Sequence, residues 1–175
     1  MQADIEQTLR PFIGEQLWGA ARAANMLSLQ VGPPRLAPTS RDPDRKVGAY
    51  ALHVFCPWRL TRGADIIVAS GDLYTPADPD ESLDDFDWDR VGSTWWDVGM
   101  REVFGEDARV QLVIEAVRAD ALGGMALMCS ADFTFEVFPN SSLAAHVETE
   151  FWRVFAPGTD GPHTVCSSSG LHRDG

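Results

Sequence analysis

Apolar and polar residues alternate along much of this chain, and residues 50–60, YALHVFCPWRL, are the clearest case. In an extended chain Tyr50, Leu52, Val54 and Cys56 share one face, and Ala51, His53 and Phe55 share the other. Both faces are largely apolar, which predicts an interior strand over 48–60. Pro57 cannot donate to a ladder, so it marks a strand end, a bulge or an edge. After the Arg62-Gly63 turn, DIIVAS reads as a second strand over 64–70. A connection this short makes the pair an antiparallel hairpin.

Three later stretches repeat the pattern. Residues 109–118 place Val110, Leu112, Ile114 and Ala116 on one face. Residues 126–138 read as one strand, with Phe133, Phe135 and Val137 opposite Thr134 and Glu136. Residues 147–155 alternate Val147, Thr149, Phe151, Arg153 and Phe155 against Glu148, Glu150, Trp152 and Val154. These three form a predicted meander, and with the first hairpin they make a sheet of about five to seven strands. A short strand over 163–166 and a flexible tail over 168–175 complete the C-terminal end.

Helical signals concentrate near the N-terminus. Residues 3–12 predict a short helix limited by Pro11. Residues 15–26 are alanine-rich and predict a second helix, with Trp18 and Arg22 paired at i and i+4. Residues 27–31 alternate as a strand, and the four prolines of 32–46 predict a loop. A further short helix is expected over 81–87 or 94–99. The fold class is α+β: a single domain spanning 1–175, mainly an antiparallel sheet with one or two N-terminal helices packed on it.

Charge changes the picture. Twenty-six acids against fourteen bases give a formal net charge of −12 over 175 residues. Such a surface repels phosphate backbones, which argues against direct nucleic-acid binding, and steers basic partners. Residues 71–97, GDLYTPADPDESLDDFDWDRVGSTWWD, concentrate the imbalance, with nine acids and the lone base Arg90. The insertion at 71–99 also carries Tyr74, Phe86, Trp88, Trp95 and Trp96. Aromatics ringed by charge have the composition of binding hot spots. In a small domain such aromatics also commonly fold back onto the sheet.

The three cysteines, Cys56, Cys129 and Cys166, show no disulfide spacing and predict reduced, buried thiols in a cytoplasmic protein. The N-terminus lacks the basic start and apolar run of a signal peptide. No apolar stretch is long enough to span a membrane as a helix.

Candidate chemistry is sparse. His-x-x-Cys occurs twice, as His53/Cys56 and His163/Cys166, and two such pairs could ligate zinc. On a strand, however, positions i and i+3 face opposite sides, so no metal is expected. Serines 167–169 with His53, His146 or His163 lack the Gly-x-Ser-x-Gly elbow of a hydrolase. Paired carboxylates such as Glu148 and Glu150 read as a solvated face. No glycine-rich phosphate loop is present. No cofactor or catalytic residue is therefore expected, and the balance leans away from an enzyme.

Two Trp-Arg pairs, Trp58-Arg59 and Trp152-Arg153, read as sheet-corner locks. Alternatively, they line an anion pocket made of His53, Arg59, Arg153 and His163 at the Pro57 corner. Leu52, His53, residues 56–59, residues 72–74, Phe138-Pro139, Trp152-Arg153, Phe155 and Pro162-His163 together resemble a group of uncharacterised bacterial proteins, over about 15–165. That resemblance implies strand ends and no activity.

The leading expectation is a small acidic binding protein, immunity-like, that inhibits a basic partner protein. Its steering charges would be Asp84, Asp85, Asp87 and Asp89, and its anchors Phe86, Trp88, Trp95 and Trp96. The rival readings are a small-molecule or enzymatic pocket at the Pro57 corner, and a homodimer joined through the exposed aromatics.

Overall fold

The computed structural model describes residues 1–40, 42–106, 108–142 and 148–174. The elements in chain order are α1 (Gln2–Leu9), β1 (Gln16–Ala23), β2 (Met26–Val31), β3 (Arg35–Leu36), β4 (Lys46–Val47), β5 (Tyr50–Val54), β6 (Trp58–Arg62), β7 (Asp65–Ala69), α2 (Trp95–Phe104), β8 (Leu112–Ala119), β9 (Met125–Cys129), β10 (Phe133–Val137), β11 (Glu150–Phe155), β12 (His163–Ser167) and β13 (Gly170–Asp174). The fold is α+β, with an N-terminal helix and an antiparallel sheet. The sheet has eleven strands, in the order β13-β12-β11-β5-β2-β1-β8-β9-β10-β6-β7. Strands β3 and β4 form a separate small ribbon.

The order forces the sheet to curl. β5 and β6 lie six strand spacings apart, which in a flat sheet is about 29 Å. Yet only Phe55, Cys56 and Pro57 join them, and that link reaches at most about 15 Å. The strands from β5 round to β6 must therefore roll toward a barrel, and the Pro57 corner bridges the ends. Two backbone bonds hold that bridge: Phe55 N–H donates to Phe151, and Phe138 N–H donates to Pro57. A third tie comes from the β8–β9 turn, where the Gly123 carbonyl accepts from the buried Trp152 indole at 2.8 Å. Gly123 has φ +95°, and a Cβ there would lie 3.0 Å from the Cys166 sulfur. Any side chain would strain this closure.

The interior is one cluster of buried apolar side chains. α1 contributes Ile5 and Leu9, and the helical turn after it contributes Phe12, all fully buried. Phe12 meets Tyr50 on β5, and Glu6 accepts from the Ala119 amide on β8. α2 covers the opposite gap, between β7 and β1, and contributes Trp96, Met100 and Val103. It lies close on β7, since a Cβ at Gly99 would sit 2.9 Å from the Val68 Cβ. No helix among the described residues is long and apolar enough to cross a membrane.

Five expectations are corrected, the first being the strand count: among the described residues the sheet has eleven strands, not five to seven. Residues 15–26 are not a helix but β1 and the start of β2, a hairpin turning at Ala24-Asn25. Residues 126–138 are two antiparallel strands, β9 and β10, turning through Ser130–Asp132. The strand expected over 48–60 breaks at 55–57 and places its two halves far apart in the sheet. Of the tail expected to be flexible over 168–175, residues 170–174 form β13, which pairs along the whole of β12, and Gly175 lies outside the described residues. Of the two helices offered around 81–99, the chain forms turns over 81–87, and α2 starts at Trp95 and runs on to Phe104. The strand expected over 147–155 appears as β11 from Glu150. Val147 and His146 lie outside the described residues.

Candidate functional site

The acidic segment is held at both ends. The Ala77 amide donates to Ser93, and the Trp95 amide donates to Thr75, so the loop closes on itself just before α2. Thr94 caps the helix: its hydroxyl accepts from the Asp97 amide at 3.1 Å, and the Asp97 carboxylate accepts from the Thr94 amide at 3.2 Å. This reciprocal cap satisfies two amides that a helix start leaves orphaned. Inside the loop, the Ser93 hydroxyl reaches the carbonyls of Asp87 and Arg90, and Arg90 pairs with Glu81 at 2.7 Å.

Arg22, at the end of β1, fastens this loop to the body. Its guanidinium donates to the Trp88 carbonyl at 3.0 Å and to the Asp89 and Arg90 carbonyls at 3.4 Å. It lies 3.6 Å from the Asp97 carboxylate and 3.4 Å from that of Asp89. It also stacks over the Trp96 ring. The Arg22 and Asp97 side chains are only 10% and 9% exposed, so the pair is strongly shielded from solvent. The expected Trp18–Arg22 pairing does not form. The Trp18 indole donates instead to the Gly32 carbonyl.

The loop presents a mixed surface. Asp84, Asp85 and Asp87 are exposed, and the Asp89 carboxylate is 71% exposed despite Arg22. Phe86 is half-buried. Trp88 is also half-buried, packed on the core and tilted against Tyr74 at 5.6 Å. Trp95 is 49% exposed, whereas Trp96 is buried in the core and is architecture rather than an anchor. Three exposed apolar residues on this surface, Tyr74, Leu83 and Val91, were not among the expected anchors; Leu83 and Val91 are 76% and 89% exposed. The sequence signal for them was an apolar residue inside a turn-rich acidic run.

A cleft of about 220 Å³ does open at the Pro57 corner, but its walls differ from those expected. They include Arg22, Met26, Phe55, Trp58, Tyr74 and Trp96. Of the four residues assigned to that corner, His53, Arg153 and His163 gather on the outer side of β5, β11 and β12 instead. Arg153 forks onto Glu150 and lies 3.2 Å from the His163 ring nitrogen. Phe155 stacks on His163 at 4.3 Å and meets His53 edge-on at 4.8 Å. Partial burial, then the neighbouring Arg153 cation, pulls the His53 pKa below its ordinary value. Arg59 stands apart on β6, with its Nε 2.6 Å from Glu136 and its guanidinium over Phe138.

The two His-x-x-Cys pairs split between surface and core. The histidines join the outer cluster just described, while Cys56 and Cys166 are core residues. Burial pushes the Cys56 and Cys129 thiols up to about 12 and Cys166 up to about 11. All three are protonated at neutral pH and poor nucleophiles. Among the described residues no group of three or more His, Cys, Asp or Glu is placed to hold a metal ion. The Ser167 and Ser169 hydroxyls both donate to Glu148, which holds that carboxyl below its ordinary pKa. Neither hydroxyl is thereby set against an imidazole base.

No family model, no curated protein and no solved structure matches this chain.

Proposed function

We propose that this protein captures a basic partner protein on the acidic, aromatic face built by residues 72–97, in the manner of an immunity-like inhibitor. The observation that carries the reading is the construction of that face. Asp84, Asp85, Asp87 and Asp89 project from a loop whose backbone Arg22 and the Thr94–Asp97 cap hold in place. A preorganised acidic surface steers a cationic partner and loses little freedom when it binds. Trp95, Tyr74 and Val91 supply exposed apolar area among those charges, as a hot spot requires. The aromatic cleft at the Pro57 corner, with Tyr74 among its walls, is sized for a single partner side chain.

The test is capture from the host lysate on the immobilised full chain, across a ladder of salt concentrations. The expected result is one basic protein retained at low salt and released as salt rises. It should not be retained by a variant with Asp84, Asp85, Asp87 and Asp89 changed to Asn. Capture of the same protein by both forms, or no captured protein together with a stable homodimer in light scattering, overturns the reading.

A further inference from the structure

A second concave site lies at the other end of α2, and its chemistry is opposite in sign. A groove of about 570 Å³ runs between the C-terminal half of α2, the end of β6, β7, β10 and the segment entering β8. Small-molecule sites span about 300–1,000 Å³, so the volume suits an organic ligand. Its floor is apolar: Ile67, Val103, Val110, Leu112 and Phe133. Its polar rim is Arg62 and Arg109, against the single carboxylate of Glu102; the Arg101 side chain also lines it, but its guanidinium reaches back to Gly92 in the acidic loop.

Two arginines on one groove with a single acid are unexpected in a chain of net charge −12. The arginines elsewhere that shape the fold are neutralised: Arg22 by Asp89 and Asp97, Arg59 by Glu136, Arg90 by Glu81 and Arg153 by Glu150. Among the described residues, Arg62, Arg101 and Arg109 form no such ion pair. Arg62 instead lies over the Phe133 ring of the floor at 5.4 Å, which leaves its planar fork turned to solvent chemistry rather than to a carboxylate of the protein. Guanidinium groups grip carboxylate and phosphate oxygens two at a time. An apolar floor next to them offers burial to a hydrocarbon body.

We propose that this groove binds a small amphipathic anion: a carboxylate or phosphate head held by Arg62 and Arg109, with an unbranched apolar body laid over Ile67, Val103 and Val110. This site is separate from the acidic face and does not depend on the partner reading.

The experiment titrates the full chain with decanoate, decyl phosphate, octanoate and decanol. Binding is followed by calorimetry and by methyl NMR shifts at Ile67, Val103 and Val110. Decanoate or decyl phosphate is expected to bind and to move those methyls, and the tighter of the two identifies the head group. Octanoate, two methylenes shorter than decanoate, is expected to bind about tenfold more weakly. Arg62→Glu and Arg109→Glu, both at exposed positions, are each expected to weaken the anion by about tenfold or more, and Arg109→Glu to do so without changing the thermal midpoint. Arg109→Lys should restore part of the loss, which a merely structural effect would not do. Failure of both decyl anions to bind overturns the proposal. So does binding that decanol matches, or that the charge reversals leave unchanged.

Discussion

The two ends of α2 face opposite chemistry. At the N-terminal end, Trp95, Trp96 and Asp97 belong to an acidic loop that Arg22 holds through backbone carbonyls and a shielded ion pair. At the C-terminal end, Arg62 and Arg109 line a groove that holds one carboxylate, Glu102. The net charge of −12 describes neither end by itself. The difference lies in how arginine is used. Arg22 is spent on internal partners and shapes the loop. Arg62 and Arg109 line a cavity and form no ion pair among the described residues. Only the placement of the same residue type separates a structural clamp from a candidate ligand contact.

Two perturbations test how far the two ends are independent, and a third serves as a reference away from both. The largest effect is expected from Trp96→Ala. It empties a buried aromatic site and removes the ring under Arg22, at a cost of about 3–5 kcal/mol. Chemical denaturation measures it, and both ends should be weakened together, because α2 loses its main contact with the core. Arg22→Met comes next. It leaves the Asp97 carboxylate and the Trp88 carbonyl without their partner, for about 3 kcal/mol. It should release the acidic loop while the arginine groove keeps its affinity for a decyl anion. Equal damage at both ends would mean that α2 acts as one unit.

The third and smallest effect lies away from both ends. His53 is held below its ordinary pKa of 6.5 by partial burial and by Arg153. The unfolded chain therefore takes up a proton at this site before the folded chain does. The site's stabilisation is complete above pH 6.5 and is lost as the pH falls through the lower folded value. Thermal midpoints of wild type and His53→Gln, compared between pH 8 and pH 5, should converge toward the acid end. Parallel curves would remove His53 from the account.

Much of the sheet could be read from alternation, and what could not has two causes, unmarked turns and long-range pairing. Among the described residues, the non-glycine positions with left-handed backbone are Ala24, Ala131 and Asp132. They sit in the two hairpin turns that the sequence conceals. The β1–β2 turn has only Ala24-Asn25 between paired Ala23 and Met26, where a two-residue turn ordinarily shows glycine. Without that mark, and with alanine at positions 20, 21, 23 and 24, local propensity points to a helix that strand pairing overrides. The β9–β10 turn, Ser130–Asp132, likewise has no glycine or proline, so two strands read as one. The Pro57 corner was legible as a break. Its consequence, that β5 and β6 separate by six places, was not, because sheet order depends on long-range pairing.

The candidate sites divide the same way. Charge and aromatic content located the acidic loop. Which tryptophan faces outward was decided by the cap at Thr94, which sets the phase of α2 and turns Trp96 inward and Trp95 outward. The arginine groove joins residues 62 and 109, which are distant in sequence, and no local pattern announces it.

The central claim is that the acidic face steers a cationic protein. It is tested most directly by association rates of the captured partner with wild type and with the variant carrying Asn at 84, 85, 87 and 89, measured across ionic strength. The account predicts a wild-type rate that falls by about tenfold or more from low to moderate salt. It predicts a slower, nearly salt-independent rate for the variant, with an unchanged thermal midpoint. The same rate and the same salt dependence in both proteins would contradict it.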